Sequence, residues 1–324
     1  MKKTRLLRVL FCLSILSLFY GCAPQTIKFP VTAPAAYQGK VPASLKVQNF
    51  NSNKRNLGSI FSNEIAAEVT QEGIIKVVDK DTSAEAILKG RLIVGEFNVN
   101  SWSESFECIE YQAGKKKPVE KTCTTYFHSK KVDIKAQFDV IDRKSKVVLV
   151  SDTELERFNQ KFSGDSAESA LTSAPTNDQI LNDTVIKLAK SVLQKISPHK
   201  ITVERKLEGG NENLELGIKY AVNNQLQRAI CFWIEHQDDN DSKIKAAANY
   251  NLGVIMESES EGKNEARLNM AHKYYEIADR TAPGKDLYIK ALSNTQQLKE
   301  QKRKLNNQSQ LPTDVTSPAY VCKK

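Results

Sequence analysis

The chain is short of the residues that most active sites use. Histidine occurs four times, at His128, His199, His236 and His272. No two of them have the His-x-x-x-His spacing that sets a pair of imidazoles on one helix face. There is no Gly-x-Ser-x-Gly elbow, no phosphate-cradling glycine loop and no Cys/His nucleophile signature. Acidic residues are plentiful but spread over helix faces, where solvation is their ordinary state. A carboxylate pair assembled in space would leave no trace in one sequence. Nothing beyond residue 22 is apolar for long enough to cross a bilayer. These absences lead us to expect no catalytic residue, no metal and no enzyme activity. The formal charge is +9, falling to about +5 once four cations at the amino terminus are set aside. That mild excess suits a neighbourhood of anionic lipid or glycan and gives no reason to expect nucleic acid.

The amino terminus is the informative segment. Lys2, Lys3, Arg5 and Arg8 precede an apolar run, Leu10 to Phe19, broken only by Cys12, Ser14 and Ser17. The run is too short to span a membrane, and Gly21 follows it, which together describe an export signal. Leu18-Phe19-Tyr20-Gly21-Cys22 resembles the lipobox of bacterial lipoproteins. Phe19 and Tyr20 are bulkier than the residues usual there. The resemblance implies cleavage before Cys22, a diacylglyceryl group on its thiol and acylation of the new amino terminus. The covalent lipid on Cys22 is then the only cofactor expected. Several buried chains at ~0.8 kcal/mol per methylene give near-permanent anchoring. Ala23 after the Cys implies, by the same resemblance, the outer membrane, with the chain facing the periplasm.

Residues 1–21 thus read as signal and 22–43 as lipidated Cys and flexible tether, with Pro24, Pro30, Pro34 and Pro42 among small and polar residues. Residues 44–200 read as an α+β domain. Leu45, Val47 and Phe50 suggest a strand. Leu57, Ile60, Phe61, Ile65 and Val69 form a helical stripe, and Ile74 to Val78 a buried strand. Ile87 to Val99 reads as one strand bent at Gly90 or Gly95. Val132, Ile134, Ala136, Phe138 and Val140 alternate with Asp133, Lys135, Gln137 and Asp139, giving one dry and one wet face. Phe158 to Thr176 reads as a loop. Leu181, Val185, Leu188, Val192 and Ile196 form a second amphipathic helix, stopped by Pro198. The result is a mostly antiparallel sheet packed with two helices. This order, with the phrase Ala84-Glu85-Ala86-Ile87-Leu88-Lys89-Gly90, is similar to a periplasmic lipoprotein pattern found in the curli-secretion channel, penicillin-binding-protein-activator and lipopolysaccharide-assembly lipoproteins. The resemblance covers roughly Leu45 to Pro198 and implies a fold more than a task.

Residues 201–305 change character to an all-α module. Leu216-Gly217 followed by Tyr220, then Ala229 and Trp233, resembles a tetratricopeptide repeat. Leu252-Gly253 begins a second copy 36 residues later, near the ~34-residue period of that class. Ala271, Tyr275 and Pro283 fit its closing helix, and Ile289 to Leu305 a capping helix. Small residues let paired helices approach while aromatics fill the gap between neighbours. Two copies are fewer than the ~3 a free array needs, so the helices should lean on something else. Residues 306–324 read as a disordered tail.

Cys108 and Cys123 flank the turn-rich Gly114-Lys115-Lys116-Lys117-Pro118. In an exported chain a disulfide is expected there, worth about 3 kcal/mol by loop entropy. A metal pair with His128 is the rival arrangement. Cys231 reads as a buried thiol beside Phe232 and Trp233, and Cys322 as free. Lys115–Lys117 and Lys299, Lys302, Arg303 and Lys304 read as solvated basic clusters, or as contacts to phosphate-bearing lipid or acidic glycan.

The sequence therefore suggests a lipid-anchored envelope scaffold whose helical repeats bind protein partners. The alternatives are a secretion or envelope-assembly subunit, a peptidoglycan- or lipopolysaccharide-binding lipoprotein, and an envelope enzyme. Membrane strands within Arg91–Tyr111 and Cys123–Val140 are disfavoured because Glu96, Glu104, Glu107, Lys130, Asp133 and Lys135 interrupt any apolar face. If Cys22 is the anchor, cells fed radiolabelled palmitate will label the chain and Cys22→Ser will abolish the label. Unlabelled chain released by osmotic shock would refute the anchor.

Overall fold

The structure is a computed structural model that describes residues 25–110, 118–308 and 322. It divides into two compact units, a sheet unit of Ala35–His199 and a helical unit that combines the amino-terminal segment through Pro34 with Lys200 onward.

The sheet unit is α+β. Its strands are β2 (Ser44–Val47), β3 (Asn51–Ser52), β4 (Lys76–Val77), β5 (Ala86–Val94), β6 (Asn98–Glu110), β7 (Val119–Asp142) and β8 (Val148–Gly164). β2 pairs in parallel with β4 and β5, and β3 in parallel with β5. The remaining pairs are antiparallel and all include β7, which is 24 residues long. One edge of β7 holds β5, from Ala86 opposite Asp142 to Val94 opposite Ile134. The same edge then holds β6, from Asn98 opposite Lys131 to Glu110 opposite Val119. The other edge holds β8, with an irregularity at Val140/Ile141.

Side chains alternate across a strand, and the burial of β7 follows that rule. Val132, Ile134, Ala136, Phe138 and Val140 are buried, and the odd positions between them are not. The buried set packs with Phe61, Ile65 and Val69 of α1 (Leu57–Glu72) and Val185, Leu188 and Val192 of α3 (Asn177–Ile196). The start of α3 is fixed by a capping box between Thr176 and Gln179. Two sequence expectations are corrected here. Ile87–Val99 is not one strand, since the ladder breaks between Val94 and Asn98. The 158–176 segment is not a loop. β8 runs on to Gly164, and a short helix α2 (Ala167–Thr172) follows.

The helical unit contains α4 (Glu212–Val222), α5 (Leu226–Ile234), α6 (Ser242–Ser260), α7 (Glu265–Thr281) and α8 (Asp286–Gln308), and consecutive helices pack. A two-stranded sheet of β1 (Thr26–Ala33) and β9 (His199–Lys206) completes it. The tether reading of 22–43 is corrected over this stretch. Ile27, Phe29 and Val31 alternate into the helical core, and Pro30 is tolerated because so small a sheet has only edge strands.

Most of the residues that suggest a repeat lie between packed helices. A Cβ on Gly217 would lie 2.4 Å from the Trp233 indole nitrogen, and one on Gly253 would lie 2.6 Å from the Tyr275 ring. Ala229, Trp233, Leu252, Ala271 and Tyr275 are buried. Leu216 is half-buried, Pro283 is exposed in the α7–α8 turn, and Tyr220 stacks on Phe232 with centroids 5.5 Å apart. The core also holds one carboxylate. Glu257 on α6 is fully buried and accepts from Arg205 Nη2 at 2.6 Å and from the Tyr275 hydroxyl at 2.8 Å. Burial beside that carboxylate pushes the Tyr275 phenol well above its ordinary pKa. Removing one partner of such a pair strands the other charge. We expect Glu257→Gln to cost about 3 kcal/mol in urea unfolding, followed at Trp233 in a Trp102→Phe background.

Candidate functional site: the uncovered face of the sheet

Helices cover one face of the β7 sheet, so the odd positions of β7 and their cross-strand partners form the other. This outward face runs the length of β7. Near the β5 end it hollows into a trough of ≈ 740 Å³ lined by Gln48, Lys89, Arg91, Gln137, Asp139 and Thr153 among others. Arg91 donates from Nε to the Gln137 side-chain amide oxygen Oε1. Midway, Arg157 on β8 grips Asp133 through two bonds of 2.8 and 3.0 Å. That guanidinium holds the Asp133 carboxyl below the usual carboxylate range. Lys131 and Lys135 flank it on the same face.

An aromatic patch follows. Trp102 on β6 stacks on Phe127 of β7, centroids 5.3 Å apart. Lys161 Nζ lies 3.5 Å from the Phe127 centroid and 4.8 Å from that of Trp102, a cation–π contact. The same ammonium is 3.7 Å from Glu104, whose carboxylate also accepts from Trp102 Nε1 at 2.8 Å. The face thus offers fixed cations, an aromatic platform and hydrogen-bonding side chains.

β8 ends at Gly164, opposite Tyr126. Beyond that point β6 and β7 continue as a two-stranded arm. Cys108 and Cys123 are joined there, Cα atoms 5.8 Å apart. They sit diagonally, since Cys108 is opposite Lys121 and Cys123 opposite Phe106. The metal alternative is corrected, because both sulfurs are committed and His128 lies elsewhere, buried with Nδ1 2.9 Å from Ser101 Oγ. A second correction concerns Cys231 and Cys322, which are bonded to each other and are not a buried thiol and a free one. Their separation of 91 residues carries no local signal. Cys22 and Lys115–Lys117 lie outside the described residues. Lys302 is buried, and Arg303 pairs with Glu300 at 3.8 Å. His236 bonds to Asp239 at 2.9 Å, and His272 to Thr295 at 3.0 Å.

The sequence profile of the LptE, lipopolysaccharide-assembly, family matches residues 43–196. Of the three lipoprotein groups that the element order resembles, the match falls on this one. No curated protein matches the chain. Among solved structures, a PelC dodecamer subunit from Paraburkholderia phytofirmans is similar at 14% identity and TM-score 0.27, covering 53% of this chain and 98% of that one. A minor lipoprotein from Acinetobacter baumannii is similar at 10% identity and TM-score 0.25, covering 49% and 98%. A lipoprotein from Neisseria meningitidis is similar at 15% identity and TM-score 0.24, covering 47% and 98%.

The arm's residues face solvent on both sides, and besides the β6–β7 ladder the disulfide and the Lys121–Glu110 ion pair at 3.1 Å tie its strands together. Closing that loop is worth about 3 kcal/mol. Replacing Cys108 and Cys123 by Ser should speed amide exchange in 103–110 and 119–125 by about a hundredfold and lower the unfolding free energy of the sheet unit by about the same 3 kcal/mol.

Proposed function

We propose that this chain is a lipid-anchored, non-catalytic envelope lipoprotein that engages lipopolysaccharide on the outward face of its sheet during outer-membrane assembly. The carrying observation is that the stretch matching the lipopolysaccharide-assembly profile, 43–196, falls in the sheet unit, whose own described helices cover only one face of the β7 sheet. The chemistry fits the ligand class. Lys89, Arg91, Lys131, Lys135 and Lys161 offer cations to phosphate, and the Trp102–Phe127 platform offers apolar surface beside them. The lipobox-like Cys22, followed by Ala23, supports attachment to the outer membrane from the periplasmic side. This reading shifts the weight of function from the helical repeats to the sheet. The repeats keep a second part in it, as a surface for an envelope protein partner. The Tyr220–Phe232 stack on α4 and α5, with Arg228 5.5 Å from the Tyr220 ring, favours that role.

Binding of purified full chain to lipopolysaccharide and to its dephosphorylated form tests the proposal. Cation contacts near a phosphate surface are worth about 1 kcal/mol each. Reversing two charges in Arg91→Glu with Lys161→Glu should therefore weaken binding at least about tenfold and narrow the preference for the phosphorylated form. Unchanged affinity in that variant would reject the face as the site.

A further inference from the structure

The edge of β6 raises a separate question. β6 is 13 residues long and pairs only with β7 among the described residues. Its first ten residues are all exposed. Long, unblocked edges template pairing with another strand, and proteins usually blunt them. Here the edge carries large apolar side chains, with Val99 at 45%, Trp102 at 37%, Phe106 at 51% and Ile109 at 60% exposure.

Their spacing is symmetric about Glu104. Trp102 and Phe106 lie two residues either side of it, and Val99 and Ile109 five. We infer that β6 is a self-association strand that pairs antiparallel with β6 of a second copy about a two-fold axis through Glu104, joining two sheets edge to edge. In that register Trp102 faces the second copy's Phe106 and Val99 its Ile109, and the two-fold axis makes each pair twice. Aromatic and β-branched pairs of this kind stabilise antiparallel sheets, and a self-complementary patch is what a two-fold interface requires. Polar positions also match. Ser103 meets Ser105, Asn98 meets Glu110 and Ser101 meets Glu107. The two Glu104 carboxylates meet at the axis, a like-charge contact that costs stability and that the Lys161 ammonium and Trp102 Nε1 beside each carboxylate offset.

The register is the one the pattern selects. Only slips that move the axis by whole residues keep each face on its own side. Moving it to Ser103 puts Phe106 opposite Asn100 and Val99 opposite Glu107. Moving it to Ser105 puts Phe106 opposite Glu104. Either slip loses both kinds of apolar pair. The self-association strand shares Trp102 with the proposed lipopolysaccharide platform, and the Val99–Ile109 pair on the opposite face keeps its test separable from lipopolysaccharide binding.

Cysteine scanning of the full chain in detergent tests it. Glu104→Cys is expected to form a disulfide-linked dimer under air. Val99→Cys alone should not, but Val99→Cys mixed with Ile109→Cys should. Cys108 is already bonded to Cys123 and does not compete. Sedimentation should show a dimer that Trp102→Lys weakens about tenfold, the loss of two cross-strand pairs, with unchanged circular dichroism. If Trp102→Lys misfolds, the crosslinking pattern still decides. A monomer at all concentrations with no Glu104→Cys dimer overturns the inference. So does equal crosslinking at all three positions, which marks random collision.

Discussion

The length of β7 constrains everything else in the sheet unit. A strand of 24 residues extends roughly 80 Å at about 3.3 Å per residue, far more than α1 and α3 can cover. Its inner half is therefore buried under helices and its outer part is not. The same length leaves room for β5 and β6 end to end along one edge. The break at 95–97 follows, because the chain must pass from the buried half of the ladder to the solvated one. Where helices stop, the even positions of β7 lose their reason to be apolar. That is why Val132 to Val140 reads as a clean amphipathic strand while the residues before it include Thr122, Thr124 and Tyr126.

This gradient also explains what sequence reasoning could and could not see. The α1 and α3 stripes and the Val132–Val140 alternation were legible because each has one dry face. β8 beyond Phe158 was not, because a strand wet on both faces has no hydrophobic period to detect. β1 was hidden by its prolines and small residues, although Ile27, Phe29 and Val31 do alternate. The site was half legible. Asp133, Lys135, Gln137 and Asp139 could be placed on a wet face, but nothing local said that Lys161 of β8 would come over Trp102 and Phe127. That juxtaposition depends on pairing across two hairpins, and pairing register is a tertiary fact.

The helical unit answers to a different constraint, close approach. Gly217 under Trp233 and Gly253 under Tyr275 bring paired helices together at the two places where the repeat phrase recurs. Leu-Gly with a following aromatic is thus a packing device first. β1 and β9 supply extra apolar surface to the helices, with Ile27, Phe29 and Val31 in the same core as Tyr250 and Tyr275. Glu257 fixes one arrangement of that core, since its carboxylate is satisfied only with Arg205 of β9 and Tyr275 of α7 both in place. A displaced β9 would leave a buried negative charge beside two tyrosines.

The arm of β6 and β7 leaves large apolar side chains in water, with Phe106 51% and Ile109 60% exposed. Full burial of a Phe or Ile is worth about 1.5–3 kcal/mol, of which Phe106 and Ile109 forgo roughly half without a core beneath them. Scattered exposed apolar residues need no explanation, but a run on one strand edge does. Glu104, Glu107 and Glu110 on the same strand keep that edge from pairing indiscriminately. In the two neighbouring registers Glu104 would face Trp102 or Phe106, whereas in the inferred one the two Glu104 carboxylates face each other and depend on their Lys161 partners. Charge and apolar surface on β6 therefore act together, the first restricting which strand can dock and the second rewarding the one that does.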